Sequence, residues 1–183
     1  MIRNLLVILL FISTISLFGR SKNSDKIQSK ETKIVTQNEQ TVAVDENKAP
    51  NFSLVDTKGK KISLSDYKGK VVIIDFWATW CPPCRRSVPD LIAIQKKYEG
   101  KVVIIGISLD IETKGDVPGF IKNFGINYPV VYGTNKVVQE YGGIQAIPTS
   151  FIIDQKGNVV RKYIGLTPKS IYISEIKKLL GES

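Results

Sequence analysis

The sequence predicts an α/β domain built as a mixed central β-sheet flanked by helices, and three observations lead there. Val71–Phe76 and Val102–Ser108 are nearly unbroken apolar runs, the pattern of central strands covered on both faces. Between them, Pro82–Tyr98 carries a helical pattern with Val88, Leu91, Ile92 and Gln95 near one face, completing a strand-helix-strand unit. Farther on, Thr149–Ile153 and Asn158–Ile164 flank Asp154-Gln-Lys-Gly157 as an antiparallel hairpin followed by a helix.

Taken in order, Phe52–Asp56 and Lys61–Leu64 flank a Thr57-Lys-Gly59-Lys turn and read as an amino-terminal β-hairpin. Ser65–Tyr67 makes a short turn or single helical turn before Gly69. After the two central strands and their helix come a short helix over Asp116–Phe124, a short strand over Pro129–Tyr132 and a helix over Asn135–Tyr141 that Gly142-Gly143 stops. Pro168–Leu180 forms the last helix, with Thr167 as its cap and Pro168 at its first position. No internal repeat emerges.

The amino-terminal part reads differently. Leu5–Phe18 is a 14-residue run interrupted only by Ser13, Thr14 and Ser16, with Arg3 before it and Gly19-Arg20 after. That layout is a signal-peptide core, or a signal anchor if it stays uncleaved, and it assigns residues 1–19. The exit Ser16-Leu17-Phe18-Gly19 lacks a small-x-small pair, so both readings stand. Residues 20–49 are rich in Ser, Lys, Asn, Gln, Glu and Thr and hold no aromatic, which reads as a flexible tether. The folded domain is then 50–183. Membrane association through the amino terminus and an extracytoplasmic location, periplasmic or on the outer face of the cytoplasmic membrane, are the expectations.

Composition narrows the chemistry. The chain has 183 residues, 26 Lys and Arg against 17 Asp and Glu, two cysteines and no histidine. Without histidine there is no Ser-His-Asp or Cys-His nucleophile system, no imidazole ligand for zinc or haem and no histidine pH switch. Two cysteines alone fill neither a tetrahedral zinc site nor a conventional iron–sulfur cluster. Residues 50–183 carry 19 Lys and Arg against 12 Asp and Glu, but the bases are scattered among acids with no stripe or aromatic platform. No nucleic-acid partner is expected. Gly142-Gly143 is too little for a phosphate loop.

Chemistry concentrates in Asp75-Phe-Trp77-Ala-Thr-Trp80-Cys81-Pro-Pro-Cys84-Arg-Arg. The two cysteines lie three apart after a buried strand and at a helix start, so they share one face of the first turn and can close a small disulfide ring. Cys81 points its sulfur toward free backbone N–H groups and the positive end of the helix dipole, which favours the thiolate and marks it as the nucleophile. Cys84, one turn in and shielded, is the resolving thiol. Pro82 and Pro83 stiffen the turn but remove donors that would stabilise the thiolate. Arg85 and Arg86 add positive charge from the solvent side. Asp75, an acid in an apolar strand, should have a raised pKa and is placed to take the proton from Cys84; the alternative is a structural acid bonded to nearby backbone. Trp77 is expected in the core, with Trp80 rimming an exposed sulfur.

These residues resemble the thioredoxin-like superfamily and, within it, membrane-tethered or exported thiol–disulfide oxidoreductases of the TlpA/ResA type. The resemblance covers residues 50–183 and rests on Trp80-Cys-Pro-Pro-Cys84 after Asp75-Phe-Trp77, with Ile147-Pro148-Thr149 before the penultimate strand. It implies a thioredoxin-like fold with Phe52–Leu64 as the amino-terminal hairpin addition and residues 106–128 as a central insertion. By the same resemblance Pro148 is cis and lies against the nucleophile, and Ile147 offers backbone groups to an extended substrate segment. Trp80 and Pro82 complete the implied substrate-binding set.

The family implies no bound cofactor or metal, protein disulfides as substrates, and electrons from a membrane donor of the DsbD/CcdA kind. Many cytochrome c maturation members carry a glutamate three residues after the second cysteine, where this chain has Ser87. Protein-disulfide reduction, with cytochrome c maturation as one setting, is the leading expectation. A disulfide oxidase or isomerase for secreted proteins, a peroxiredoxin-type peroxidase and a noncatalytic binding module remain as alternatives.

Overall fold

The computed structural model describes residues 47–182. The leader assigned to residues 1–19 and nearly all of the tether assigned to 20–49 lie outside the described residues. Among those described, no helix is long and apolar enough to cross a membrane.

Two short strands, β1 (Ser53–Val55) and β2 (Lys61–Ser63), pair antiparallel as the expected hairpin and form a small sheet of their own. A 3-10 turn over Leu64–Tyr67 leads to β3 (Val71–Trp77), then α1 (Pro82–Lys97) and β4 (Val102–Ser108). Next come α2 (Val117–Phe124), β5 (Val130–Tyr132) and α3 (Asn135–Glu140). The chain closes with β6 (Thr149–Ile153), β7 (Val159–Ile164) and α4 (Lys169–Leu180). The main sheet runs β5-β4-β3-β6-β7, parallel among the first three and antiparallel beyond β3. The predicted mixed sheet is therefore the observed one.

Alternation along β3 explains the layering, because successive side chains point to opposite faces. Val71, Ile73 and Trp77 face one apolar layer, which α1 fills with Val88, Leu91 and Ile94 and α4 with Tyr172 and Ile176. Val72, Ile74 and Phe76 face the other, with Phe52 and Leu54 of the hairpin region, Val137 and Tyr141. All seven residues of β3 and all seven of β4 are buried, as doubly covered strands require.

Two local expectations are corrected. The core face of α1 holds Ile94, whereas Gln95 turns to the sheet. Its amide accepts from the Ile104 N–H at 2.8 Å and donates to the Val102 carbonyl at 3.3 Å, capping the stretch of β4 that the short β5 leaves unpaired. Thr167 does not cap α4. Pro168 takes the N-cap position with extended backbone, ψ 142°, and Thr167 donates instead to the Gly165 carbonyl at 3.3 Å. The fixed φ of proline, −61° here, serves extended backbone as well as helix, and Pro168 takes the extended form, so the helix begins one position later than predicted.

Close packing singles out Gly106, which lies beside Asp75 in the parallel ladder. A Cβ there would meet Trp77 Nε1 at 2.9 Å and Tyr128 Cε2 at 3.3 Å, both rigid ring atoms in the core. Gly106→Ala is expected to destabilise the domain by about 1–3 kcal/mol through overpacking, read as a lower urea midpoint with an unchanged slope.

Candidate active site

Strand β3 ends at Trp77, and Ala78-Thr79-Trp80 turns the chain into α1. The Cys81 N–H donates to the Ala78 carbonyl at 3.2 Å, closing that turn. Cys81 is the N-cap of α1, with Pro82 and Pro83 in the first helical positions. Because prolines lack N–H groups, the first donor the helix offers the sulfur is Cys84 N–H, which lies 3.3 Å from Cys81 Sγ. Cys81 and Cys84 are joined as a disulfide with Cα atoms 5.3 Å apart. Cys84 is fully buried, and Cys81 is 3% exposed in this oxidised form, less open than expected. Trp80, 60% exposed, is the residue the turn presents to solvent.

The loop before β6 comes from the other side of the sheet. Its Ile147–Pro148 bond is cis, as the resemblance implied. The Ile147 carbonyl oxygen lies 3.7 Å from Cys81 Sγ, close enough to accept a hydrogen bond from the reduced thiol. Pro148 is buried and Ile147 half-buried. The Pro148 carbonyl accepts from Gly165 N–H at 2.7 Å, and Thr149 Oγ1 donates to the Ala146 carbonyl at 2.7 Å, so both ends of this loop are held. Pro82 is exposed on the rim.

Asp75 lies on the same face of β3 as Ile73 and Trp77, and therefore in the apolar layer that contains Cys84. Gly106 and Ser150 flank it in the neighbouring strands. Asp75 is 3% exposed, and its carboxyl has no hydrogen bond among the described residues. Burial pushes its pKa up to about 8. Two buried phenols share this face. Tyr172 is pushed up to about 12, first by burial and then by the Asp75 charge, and Tyr128 is raised further for the same two reasons. Tyr172 OH and Ser150 Oγ are hydrogen-bonded at 2.8 Å.

Three features escaped the sequence reading. Asp110, buried just beyond β4, accepts from the Thr79 N–H at 3.0 Å and from the hydroxyls of Thr79, Ser108 at 2.8 Å and Thr113 at 2.6 Å. One carboxylate thus ties the start of the central insertion to the residue two before Cys81. A Ser-x-Asp directly after a buried strand is the signal that could have found it. Arg85, though exposed, is held at the turn: its guanidinium sits 5.3 Å from the Phe120 and Phe124 ring centres and donates to the Thr79 carbonyl at 3.2 Å. Thr79 is therefore clamped through its N–H, hydroxyl and carbonyl. Ser87, at the position where the resemblance places a glutamate, is buried and donates to the Cys84 carbonyl at 2.8 Å.

The Asp75 shift fixes a pH dependence. A folded pKa near 8 against 3.8 in the unfolded chain means that the native state holds a proton the unfolded state releases. The resulting stability is complete below about pH 4 and is lost as pH rises toward 8. Asp75→Asn should therefore leave urea stability of the oxidised protein nearly unchanged at pH 4 and raise it by a few kcal/mol at pH 9. Equal gains at both pH values would contradict a buried, protonated Asp75.

Comparison with known proteins places these features in a family. The Redoxin family model matches residues 44–180. The chain is 39% identical over 133 residues to the thiol-disulfide oxidoreductase ResA of Bacillus subtilis (strain 168), covering 70% of this chain and 74% of that protein. It is 39% identical over 132 residues to ResA of Bacillus anthracis, covering 72% and 76%. Among solved structures, a thiol:disulfide interchange protein of the thioredoxin family from Chlorobium tepidum TLS superposes with a TM-score of 0.68 at 37% identity, covering 74% of this chain and 97% of that one. The exposed lipoprotein thioredoxin Etrx1 of Streptococcus pneumoniae strain TIGR4 gives 0.63 at 31% identity, covering 71% and all of that chain, 100%. The chain belongs to the Redoxin family and is a thioredoxin-like thiol–disulfide oxidoreductase of the ResA type, with Cys81 and Cys84 as its Cys-x-x-Cys pair.

Proposed function

We propose that the protein works outside the cytoplasm as a reductant of disulfides in partner proteins, held or exported by residues 1–19 with residues 20–49 as a tether. The observation that carries this reading is the placement of Cys81 Sγ at the α1 N-cap, within reach of the Cys84 N–H and the Ile147 carbonyl. A thiolate at that position gains from the donor and from the positive helix end.

In the reduced protein, the Cys81 thiolate attacks one sulfur of a substrate disulfide. An S–S bond forms to Cys81 and the substrate's other sulfur leaves as a thiolate. Cys84 then loses its proton to the Asp75 carboxylate, a form that grows as pH rises toward its pKa of about 8, and attacks Cys81 Sγ. The second substrate thiol leaves, and the protein is left with the Cys81–Cys84 disulfide seen in the structure. Two electrons and two protons from a membrane donor of the DsbD/CcdA kind restore the dithiol, with no cofactor in the cycle. Trp80, Pro82, Ile147 and Pro148 form the surface a substrate segment meets, with the Ile147 backbone available to pair with it. A disulfide-bonded apocytochrome c is a substrate of this type. Ser87 stands where the resemblance places a glutamate in many proteins that serve such a reaction.

Cys84→Ser is expected to accumulate a stable, dithiothreitol-sensitive adduct between Cys81 and its protein partner, visible by non-reducing electrophoresis. Cys81→Ser should form none. An adduct that persists in Cys81→Ser, or none in Cys84→Ser under conditions where the native protein turns over, would overturn the assignment of nucleophile and resolving thiol. Asp75→Asn should slow resolution of the mixed disulfide by about 100-fold, the lower range for a lost general base, and remove the inflection near pH 8 from its rate profile.

A further inference from the structure

The pole of the domain farthest from the disulfide has a composition that thiol exchange does not use. It is formed where β3 and β4 begin and β6 ends, with Val71 opposite Val102 and Val72 opposite Ile153. Seven residues of β3 separate it from the active turn, about 20–25 Å. Hydrogen bonds knit it together: Gly69 N–H to the Gln155 carbonyl, Val71 N–H to the Lys101 carbonyl and the Gln155 side chain to the Leu179 carbonyl.

Lysines crowd this pole. Lys68, Lys96, Lys97, Lys101 and Lys156 are exposed and Lys70 is half-buried, against Glu99, Asp154 and Glu182. Lys101 is paired with Glu182 at 2.7 Å. Lys96 and Lys97 occupy the last turn of α1, where they compensate the negative end of the helix dipole and need no further explanation. Lys68 is the C-cap of the 3-10 turn over Leu64–Tyr67, and Lys70 and Lys156 are on no helix end. These three line one concavity of about 570 Å3 together with Lys48 and a single acid, Asp154, whose carboxylate accepts from the backbone N–H groups of Lys156 and Asn158. The opposite pole is mixed, with Arg85, Arg86 and Lys114 set against Glu112 and Asp116.

The chain also enters the domain here. The Asn47 carbonyl accepts from Val159 N–H at 2.8 Å, Lys48 bridges to Asn158, and Ala49 N–H donates to the Gly157 carbonyl at 3.0 Å. The described chain thus enters the domain on the lysine-rich side and not on the disulfide side.

We propose that this pole rests on an anionic lipid surface, with Lys68, Lys70 and Lys156 at the headgroups, which turns the Cys81–Cys84 end toward partners in solution. The inference builds on membrane association through the amino terminus. Positive side chains near an anionic leaflet are attracted over roughly one Debye length, about 8–10 Å, so contact depends on both lipid charge and salt.

The test uses the full chain in nanodiscs of phosphatidylcholine alone or with an equal part of phosphatidylglycerol, with lysine acetylation rates read by mass spectrometry. In the anionic discs Lys68, Lys70 and Lys156 should acetylate at least about fivefold more slowly, while Lys136 and Lys169 at the far side stay unchanged, and molar salt should erase the difference. Lys97, on the same pole, should also be slowed on the anionic discs, and a Lys68→Glu/Lys70→Glu/Lys156→Glu variant should lose that slowing while keeping its exchange rate with a small aromatic disulfide. Association with both discs and uniform acetylation would overturn this inference alone. Association with neither would overturn the anchored reading and this inference together. The same protection produced by inorganic phosphate without lipid would make the concavity a small-anion site and overturn the lipid assignment.

Discussion

Strand β3 is buried on both faces from Val71 to Trp77, and the position of every reactive atom depends on that double coverage. All seven of its residues pair with β4 and the middle five, Val72–Phe76, with β6, so the strand cannot shift register by one without moving its whole apolar set to the wrong layer. The carboxyl end of this fixed rod is where α1 starts. Cys81 therefore inherits its position from the sheet, while α1 supplies the Cys84 N–H. The partner strand β6 brings in Pro148 and Ile147, because it runs antiparallel to β3 and begins where β3 ends. Neighbouring strands of the sheet thus converge on one sulfur.

Two buried acids on this scaffold do different work because their surroundings differ. Asp110 accepts hydrogen bonds from a backbone N–H and three hydroxyls, and uses that capacity to hold Thr79 and the insertion together. Asp75 has no such partners and sits among apolar side chains and two phenols, so its charged form is disfavoured. A carboxyl whose pKa burial raises in this way lowers stability at alkaline pH, which is the physical ground for the proton-accepting role proposed for Asp75. Arg85, laid over the stacked rings of Phe120 and Phe124, adds its cation to the same turn through the Thr79 carbonyl.

Much of this was legible in the sequence because it follows from short-range rules. The apolar runs gave both central strands, the glycine and proline punctuation gave the turns, and Cys-x-x-Cys at a strand-to-helix junction gave the redox pair. Asp75 stood out as the one acid in an apolar strand, and the family resemblance pointed to the cis bond before Pro148. What stayed hidden depends on partners distant in the chain. Asp110 meets Thr79 across 31 positions, so the local Ser108-x-Asp110 pattern can mark the acid but not its partner. Gln95 reads as part of an amphipathic stripe until the short β5 leaves β4 in need of a cap. Arg85 reads as a solvent cation until α2 folds two phenylalanines beneath it. The Thr167 error was local, since an extended Pro168 outcompeted a hydroxyl cap.

The central claim is that the Cys81–Cys84 pair is a donor of electrons to protein disulfides, and its equilibrium reduction potential tests that most directly. The full chain would be equilibrated in graded glutathione or dithiothreitol buffers, and the oxidised fraction read by mass after thiol trapping. The account predicts a potential near or below about −270 mV, in the range of thioredoxin-like reductants that a membrane donor must recharge. A value near roughly −120 mV, at the strongly oxidising end, would contradict it and make the protein a disulfide donor.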